Sequence, residues 1–344
     1  MKNTTLVSAA CMLVAACACS RGPGFQEKIF AGETQGTTYT VRIVAAELTA
    51  EKVESAEAAI GETLALVDSL MSTYRPDSQI SDFNRSQSTE PFPVAPELID
   101  VLQIAQEVSQ ASKGAFDVTV GPLVQAWGFG PAGLPEPPPP ETLKRLKSEI
   151  DYEDLELDPA NRTIRKTRPG ITIDLSGVAQ GYTVDRLALE LDGCGIPNYM
   201  IEIGGEVKAR GHNARGIPWR IGVEKPVPGA REIQLVLPIS NTAVSTSGDY
   251  RQYREVGGVR ISHTVDPRTG RPIQHTLASV TVVNPSCTLA DAYCTAIMVL
   301  GPEEGYQLAV DKHLAALMLI HAGESQFTQK TTPAFDAFLE ENAP

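Results

Sequence analysis

Apolar residues recur every third or fourth position in four stretches of this chain, and they alternate or run together in several shorter ones. Ile60, Leu64, Val67 and Met71 share one side of a helix predicted over Val53–Met71, and Leu98, Leu102, Ala105 and Val108 do the same over Leu98–Val108. A helix from about Val178 to Leu191 follows Ser176-Gly177, and another over Leu289–Leu300 carries a stripe of Leu289, Tyr293, Ala296, Ile297 and Leu300. Strand character marks Tyr39–Val44, Ile171–Leu175, Tyr199–Ala209 with a kink at Gly204-Gly205, Trp219–Val223, Ile233–Leu237, Ala278–Val283 and Ala315–Ile320. Pro131–Pro140 contains LPEPPPP and reads as an extended surface excursion. There is no long repeat. Strands mixed with scattered helices predict an α+β architecture rather than a regular βαβ series.

The N-terminus changes that picture. Met1-Lys2 gives a positive start, and the apolar run Leu6–Ala16 is too short to stay as a spanning helix. Val14-Ala15-Ala16-Cys17 has the form of a lipobox, in which Cys17 is acylated after cleavage and anchors the chain to a membrane. The plainer reading is an ordinary secretory signal cut near Ala16 or Ala18. Residues 1–16 are then the signal and 17–27 a tether. A hydrophobic content of 42% supports a real core, and the net charge of −13 disfavours nucleic acid and anionic lipid. Cys194, Cys287 and Cys294 leave open either one disulfide or buried free thiols.

Chemistry concentrates in a few places. Ser245–Gly270 reads as a polar loop crowded with Ser, Thr, His, Asp and Arg, and it offers His263 as a base near Asp266. Asp291 and Thr295 lie one turn apart on one helix face, an oxygen pair suited to Mg²⁺. Each also has an ordinary explanation, as a helix-terminus acid and a self-satisfied hydroxyl. Asp174-Leu175-Ser176-Gly177 is a strand end turning into a helix, where free N–H groups suit phosphate or where Ser176 merely caps. Gly114–Asp117 through Trp127–Gly130 would shape a flat-ring pocket or simply pack, with Tyr74 and Arg75 as a stacking or phosphate-side pair.

Taken in order, Gly36-Thr37-Thr38, Ser72–Arg75, Gly114–Asp117 with Val120–Leu123, Trp127–Gly130, Asp174–Gly177, Gly204-Gly205-Glu206, Ser245–Gly248, Ser262–Pro267 and Asp291–Thr295 resemble the ApbE family of FAD:protein FMN transferases. The resemblance covers nearly the whole mature chain. It implies an ApbE-like mixed α/β fold: a single large domain of two packed lobes over residues 28–340. It also implies a reaction, in which a threonine hydroxyl of a target protein attacks the FMN-side phosphorus of FAD and AMP leaves. By the same carry-over Mg²⁺ is held by Gly177, Asp291 and Thr295. Position 294, an acid in some relatives, is Cys294 here and would offer its backbone carbonyl. FAD would be contacted by Gln35, Tyr74, Ala115, Phe116, Asp117, Asp174, Gln180 and Val265, with His263 as base. Gln180 stands where Lys or Glu is frequent. The expected acceptors carry a motif such as Asp/Ser-Gly-x-Thr-Ser/Ala-Thr, as in quinone reductase or electron-transfer subunits, at the periplasmic side of a bacterial membrane. Two other readings stay open: a Mg²⁺-dependent FAD pyrophosphatase, and a non-catalytic FAD-binding lipoprotein.

Overall fold

The run Leu277–Asn284 is buried along nearly its whole length, so its apolar residues do not alternate with polar ones. It is a central strand covered on both faces. The structure is a computed structural model and describes residues 24–129, 136–227, 232–248, 253–256, 259–323 and 326–342. Cys17 and the lipobox lie outside these residues, as does the first half of the proline-rich excursion, residues 131–135.

The chain opens with a hairpin, β1 (Gln26–Thr34) and β2 (Thr37–Ala45), and continues through α1 (Ala50–Met71), α2 (Gln79–Arg85), β3 (Phe92–Pro93) and α3 (Pro96–Ala111). Next come α4 (Gly121–Ala126), α5 (Pro140–Lys147), β4 (Leu155–Asp158), β5 (Thr163–Lys166) and α6 (Ala179–Gly193). Strands β6 (Asn198–Ile203), β7 (Glu206–Arg210), β8 (Trp219–Glu224), β9 (Ile233–Ile239) and β10 (Thr242–Gly248) follow. The short pairs β11 (Tyr253–Val256) with β12 (Val259–Ser262) and β13 (Val265–Asp266) with β14 (Arg271–Pro272) precede β15 (Leu277–Asn284). The last elements are α7 (Cys287–Asp311), β16 (Ala315–His321), β17 (Phe327–Thr331) and α8 (Pro333–Glu341).

One eight-stranded sheet, ordered β1-β2-β6-β7-β10-β15-β16-β17 with every neighbouring pair antiparallel, organises the molecule. Helices α6 and α7 pack on one face of it, with α1 against α6 and α3 against α7. The hairpin β8–β9 and α8 cover the other face, where Trp219, Leu237, Ile239, Val244, Leu319 and Phe335 share a core. The smaller sheet β3-β5-β4 joins the main core through Leu155 and Ile164, which cluster with residues of α3, α7 and β15.

Four sequence expectations shift. Strand β1 starts at Gln26, so the last residues assigned to the tether lie in the sheet. Ile171–Leu175 is extended but joins no ladder, because the Asn84 side chain pairs with the Ile173 backbone at 2.7 and 2.8 Å and Asp174 N–H donates to Val118 O. Helix α7 is apolar on nearly every side, rather than striped, since it lies between α3 and the sheet. It also runs past Leu300 and bends at Gly301, because Pro302 has no N–H for the Met298 carbonyl four residues back. His275 Nε2 takes that carbonyl at 2.8 Å.

Candidate functional site

The site assembles where the β1–β2 turn, the β6–β7 turn, the start of α6 and the second turn of α7 converge. Gln35 (φ 49°) and Gly36 (φ 72°) form the two-residue connection of the β1–β2 hairpin, which needs left-handed conformations at both positions. This turn delivers the Gln35 side chain to α6, where Nε2 donates to Thr183 Oγ1 at 2.6 Å and Oε1 is buried without a partner. Gly204 N–H donates to Thr38 O at 3.2 Å, and a Cβ on Gly204 would lie 2.8 Å from Gln180 Nε2. Gln180 therefore sits beneath the β6–β7 turn.

Asp174 shapes the entry to α6. Its Oδ1 accepts Ser176 N–H at 2.9 Å and Ser176 Oγ–H at 2.7 Å, so Ser176 closes a turn there and does not cap the helix. That turn presents Gly177, where a Cβ would stand 3.3 Å from Phe116 Cε2 and 3.4 Å from Thr295 Oγ1. Phe116, Gly177 and Thr295 are thus immediate neighbours. One turn later a Cβ on Gly181 would meet Cys287 O at 2.5 Å and Asp291 Cβ at 2.8 Å. Only glycine lets the two helices approach this closely. Gly181 N–H donates to Asp291 Oδ2 at 2.9 Å.

Asp291 is 6% exposed, and its burial, followed by the nearby Glu206 carboxylate, pushes its carboxyl well above the ordinary range against the Gly181 hydrogen bond. Glu206 is itself buried and accepts from Ser245 Oγ at 3.3 Å. A buried acid beside a second acid, with a hydroxyl and a backbone carbonyl at hand, is a hard-oxygen set that a small divalent cation would relieve. Among the described residues, no group of three or more His, Cys, Asp or Glu is arranged to hold a metal ion. The cation reading therefore rests on Asp291, Thr295 and Gly177, two of which offer neutral oxygens.

The other expected residues divide. Ala115 and Phe116 are buried beside Gly177's neighbours, with Phe116 N–H held by Ser112 Oγ. Asp117 accepts Thr119 N–H at 2.7 Å, Thr119 Oγ–H at 2.6 Å and Tyr152 N–H at 3.2 Å, so its carboxylate braces this loop. Burial still raises that carboxyl above its usual value, outweighing those bonds. Val265 packs its side chain among Leu123, Ala126, Leu143 and Leu146, which leaves its backbone as the part available to a ligand. His263 is half-buried with Phe129 set edge-on at 6.4 Å between ring centroids. Asp266 is committed to Arg268, at 3.0 Å from both Nε and the terminal nitrogen, and so serves the turn.

One expectation is corrected, and two further residues are located. Ser245–Gly270 is not one polar loop: Ser245–Gly248 is the end of central strand β10, and Ser245 is fully buried. Cys294 Sγ–H points into the sheet toward Ser245 O at 3.2 Å and Val280 O at 3.6 Å, so its side chain packs there and only its backbone carbonyl is left for the role the resemblance implies. Burial raises that thiol far above its ordinary value and keeps it neutral. Tyr74 is 69% exposed and follows the end of α1. Arg75 beside it is paired with Asp68 and Asp77 rather than open to phosphate. Cys194, Cys287 and Cys294 are free thiols. Asp185, at the foot of α7, carried no sequence signal and Glu206 stood only in a motif without a role, because their partners are distant in the chain.

An α+β scaffold that gathers such oxygens at the start of one helix and the second turn of another has the layout of a phosphate-handling protein. The ApbE family pattern matches residues 35–318, and the chain belongs to that family. The FAD:protein FMN transferase of Vibrio cholerae is 39% identical over 98% of this chain and 99% of its own length. That of Escherichia coli K12 is 38% identical over 90% of this chain and 89% of its own. The solved flavin transferase ApbE from Vibrio cholerae matches with a TM-score of 0.83 at 38% identity, covering 92% of this chain and 100% of that one.

Proposed function

We propose that this chain is an FAD:protein FMN transferase that esterifies FMN to a threonine hydroxyl of a target protein. The observation that carries the reading is the convergence of Gly177, Asp291 and Thr295 beside Phe116 and Gln180, within a chain that its transferase relatives match end to end. In the transfer, the threonine oxygen forms a bond to the FMN-side phosphorus. The bond from that phosphorus to the AMP oxygen breaks, and AMP leaves with that oxygen. The hydroxyl proton passes to His263, whose half-buried ring lies at the edge of Phe129. Gly177 O, the Asp291 carboxylate and Thr295 Oγ1 would hold Mg²⁺. When bound, Mg²⁺ supplies neutralisation of pyrophosphate charge. Gln35 Oε1, buried and unpartnered, waits for a donor on the substrate, and FAD offers N–H and O–H groups of that kind.

The deciding experiment incubates the chain with FAD, MgCl₂ and a peptide carrying the threonine motif, then weighs the peptide. An FMN-sized mass gain is expected. Release of FMN and AMP without that gain would make the chain a pyrophosphatase, and intact bound FAD would make it a carrier.

We further propose that Cys17 bears the lipid anchor and that the enzyme faces the periplasm, where it modifies subunits of quinone reductases or other membrane electron-transfer complexes. The support is the Val14-Ala15-Ala16-Cys17 sequence behind a short apolar run. No helix among the described residues is long and apolar enough to cross a membrane. Cys17→Ala should move the protein from the membrane to the soluble fraction, and its continued sedimentation with membranes would remove the anchor.

A further inference from the structure

Helix α7 has its own cap. Ser286 Oγ accepts Leu289 N–H at 3.2 Å, which is all an isolated helix start requires of its N-cap. A second acceptor nevertheless reaches the same helix end from α6. Asp185 Oδ2 takes Ser286 Oγ–H at 2.9 Å, Thr288 N–H at 2.9 Å and Thr288 Oγ–H at 2.7 Å, while Oδ1 takes Cys287 N–H at 3.0 Å. Lys208 Nζ, from β7, donates to Oδ1 at 2.6 Å and to Pro285 O at 2.9 Å, so it ties the carboxylate to both the sheet and the loop before α7. Burial alone would raise the Asp185 carboxyl, but Lys208 and these N–H groups outweigh it and hold the group ionised.

Asp185 lies one turn after Gly181, on the same side of α6. Gly181 makes the backbone approach to Cys287 and donates to Asp291 Oδ2. The α6–α7 register is therefore fixed at two successive levels. That register sets how Gly177, just before α6, meets Asp291 and Thr295 on α7. We infer that Asp185 is a positioning residue for the cation site, clamping α7 so that Asp291 and Thr295 face Gly177. The inference rests on the reading of those three residues as cation ligands. Residues behind metal ligands typically change metal affinity by about 10–100-fold when altered.

Asp185→Asn keeps the shape but turns an amide N–H₂ toward donors, leaving the α7 start in repulsion with it. Calorimetric titration of the purified chain with MgCl₂ is expected to show binding about tenfold weaker or worse in D185N. At saturating Mg²⁺ kcat should return to near wild type, with KM for FAD unchanged. A lower melting temperature in D185N with a wild-type Mg²⁺ constant would make Asp185 purely structural and overturn the inference alone. A wild-type chain that takes up no Mg²⁺ would overturn the ligand reading and this inference with it. Should D185N not fold, Thr288→Val keeps the carboxylate and removes one donor; about threefold weaker Mg²⁺ binding is expected. An unchanged constant there also overturns the clamp.

Discussion

The two regions that carry the chemistry are built on opposite principles. Where α6 crosses α7, close contacts fix the residues: Gly181 against Cys287 O, Asp291 buried on Gly181 N–H, and Asp185, part-buried, across the start of α7. Between Ser245 and Gly270 the chain instead leaves the sheet after β10 and returns through two short pairs, with His263 half-buried on the way. Val265 and Gly270 anchor this return to α4, the latter through Trp127 Nε1–H at 2.9 Å. Charge-handling groups need fixed positions in dry surroundings, whereas a proton acceptor must meet a hydroxyl that arrives with another protein. Under the proposed function the first region would serve FAD and its cation, and half-buried His263 in the second would serve the acceptor.

The sharpest break of this contrast is Asp291→Ala, which should lower transfer by about a thousandfold or more. Asp291→Asn should lose transfer as well, yet melt at the wild-type temperature or above without Mg²⁺, because it removes a buried acid that Glu206 disfavours. An Asn variant that melts well below wild type would mean the carboxylate stabilises the fold rather than burdening it. On the other side, His263→Ala should reduce kcat about 10²–10⁴-fold at unchanged FAD affinity and unchanged melting temperature. A loss under about tenfold would take the base role away from His263. Gly181→Ala should weaken Mg²⁺ binding and destabilise the chain by about 1–3 kcal/mol, since its methyl would sit on the Cys287 carbonyl. Gln35→Leu should raise the Kd for FAD about three- to tenfold while costing the apo protein no more than about 1 kcal/mol, since it deletes the orphan oxygen together with the bond to Thr183 Oγ1. FAD binding that is indifferent to this change would free the β1–β2 turn from the site.

Much of this was readable along the chain, for physical reasons that also explain the failures. Helices α1, α3, α6 and α7 announced themselves because each buries apolar residues at helical spacing. Asp291 and Thr295 could be paired because one turn separates them. Strand β1 hid because QEKIFAGET forms an exposed sheet edge and buries only Phe30. Strand β10 hid because only Ala243 and Val244 in it are apolar and Ser245, Thr246 and Ser247 follow; Ser245 reaches Glu206, and Thr246 meets Thr281 across the ladder at 2.9 Å. Ile171–Leu175 looked like a strand because it is buried and extended, but the Asn84 side chain takes the place of a neighbouring strand. Cys294 had the spacing of a ligand, and only its contact with Ser245 O shows that it faces the sheet. Asp185 was invisible, and Glu206 stood in a motif with no role attached, since their partners lie on other strands and helices.

The smallest expected effect probes the clamp through acid. Asp185 is held below the ordinary carboxylate pKa of about 4, where the unfolded chain returns. Between those two values the unfolded state binds the extra proton, so the stabilisation is complete above about pH 4 and is lost as pH falls through the lower folded value. Facing groups do not blur the signal: Lys208 is the cation paired with the carboxylate, the Cys287 thiol is raised by burial and stays neutral, and the remaining partners are N–H and hydroxyl groups. Melting temperatures of wild type and D185N should therefore converge as pH drops below about 4, the wild type losing its advantage there. Curves that stay parallel through that range would show that the carboxylate's charge does not hold α6 to α7, and the rigid half of the contrast would then rest on Gly181 alone.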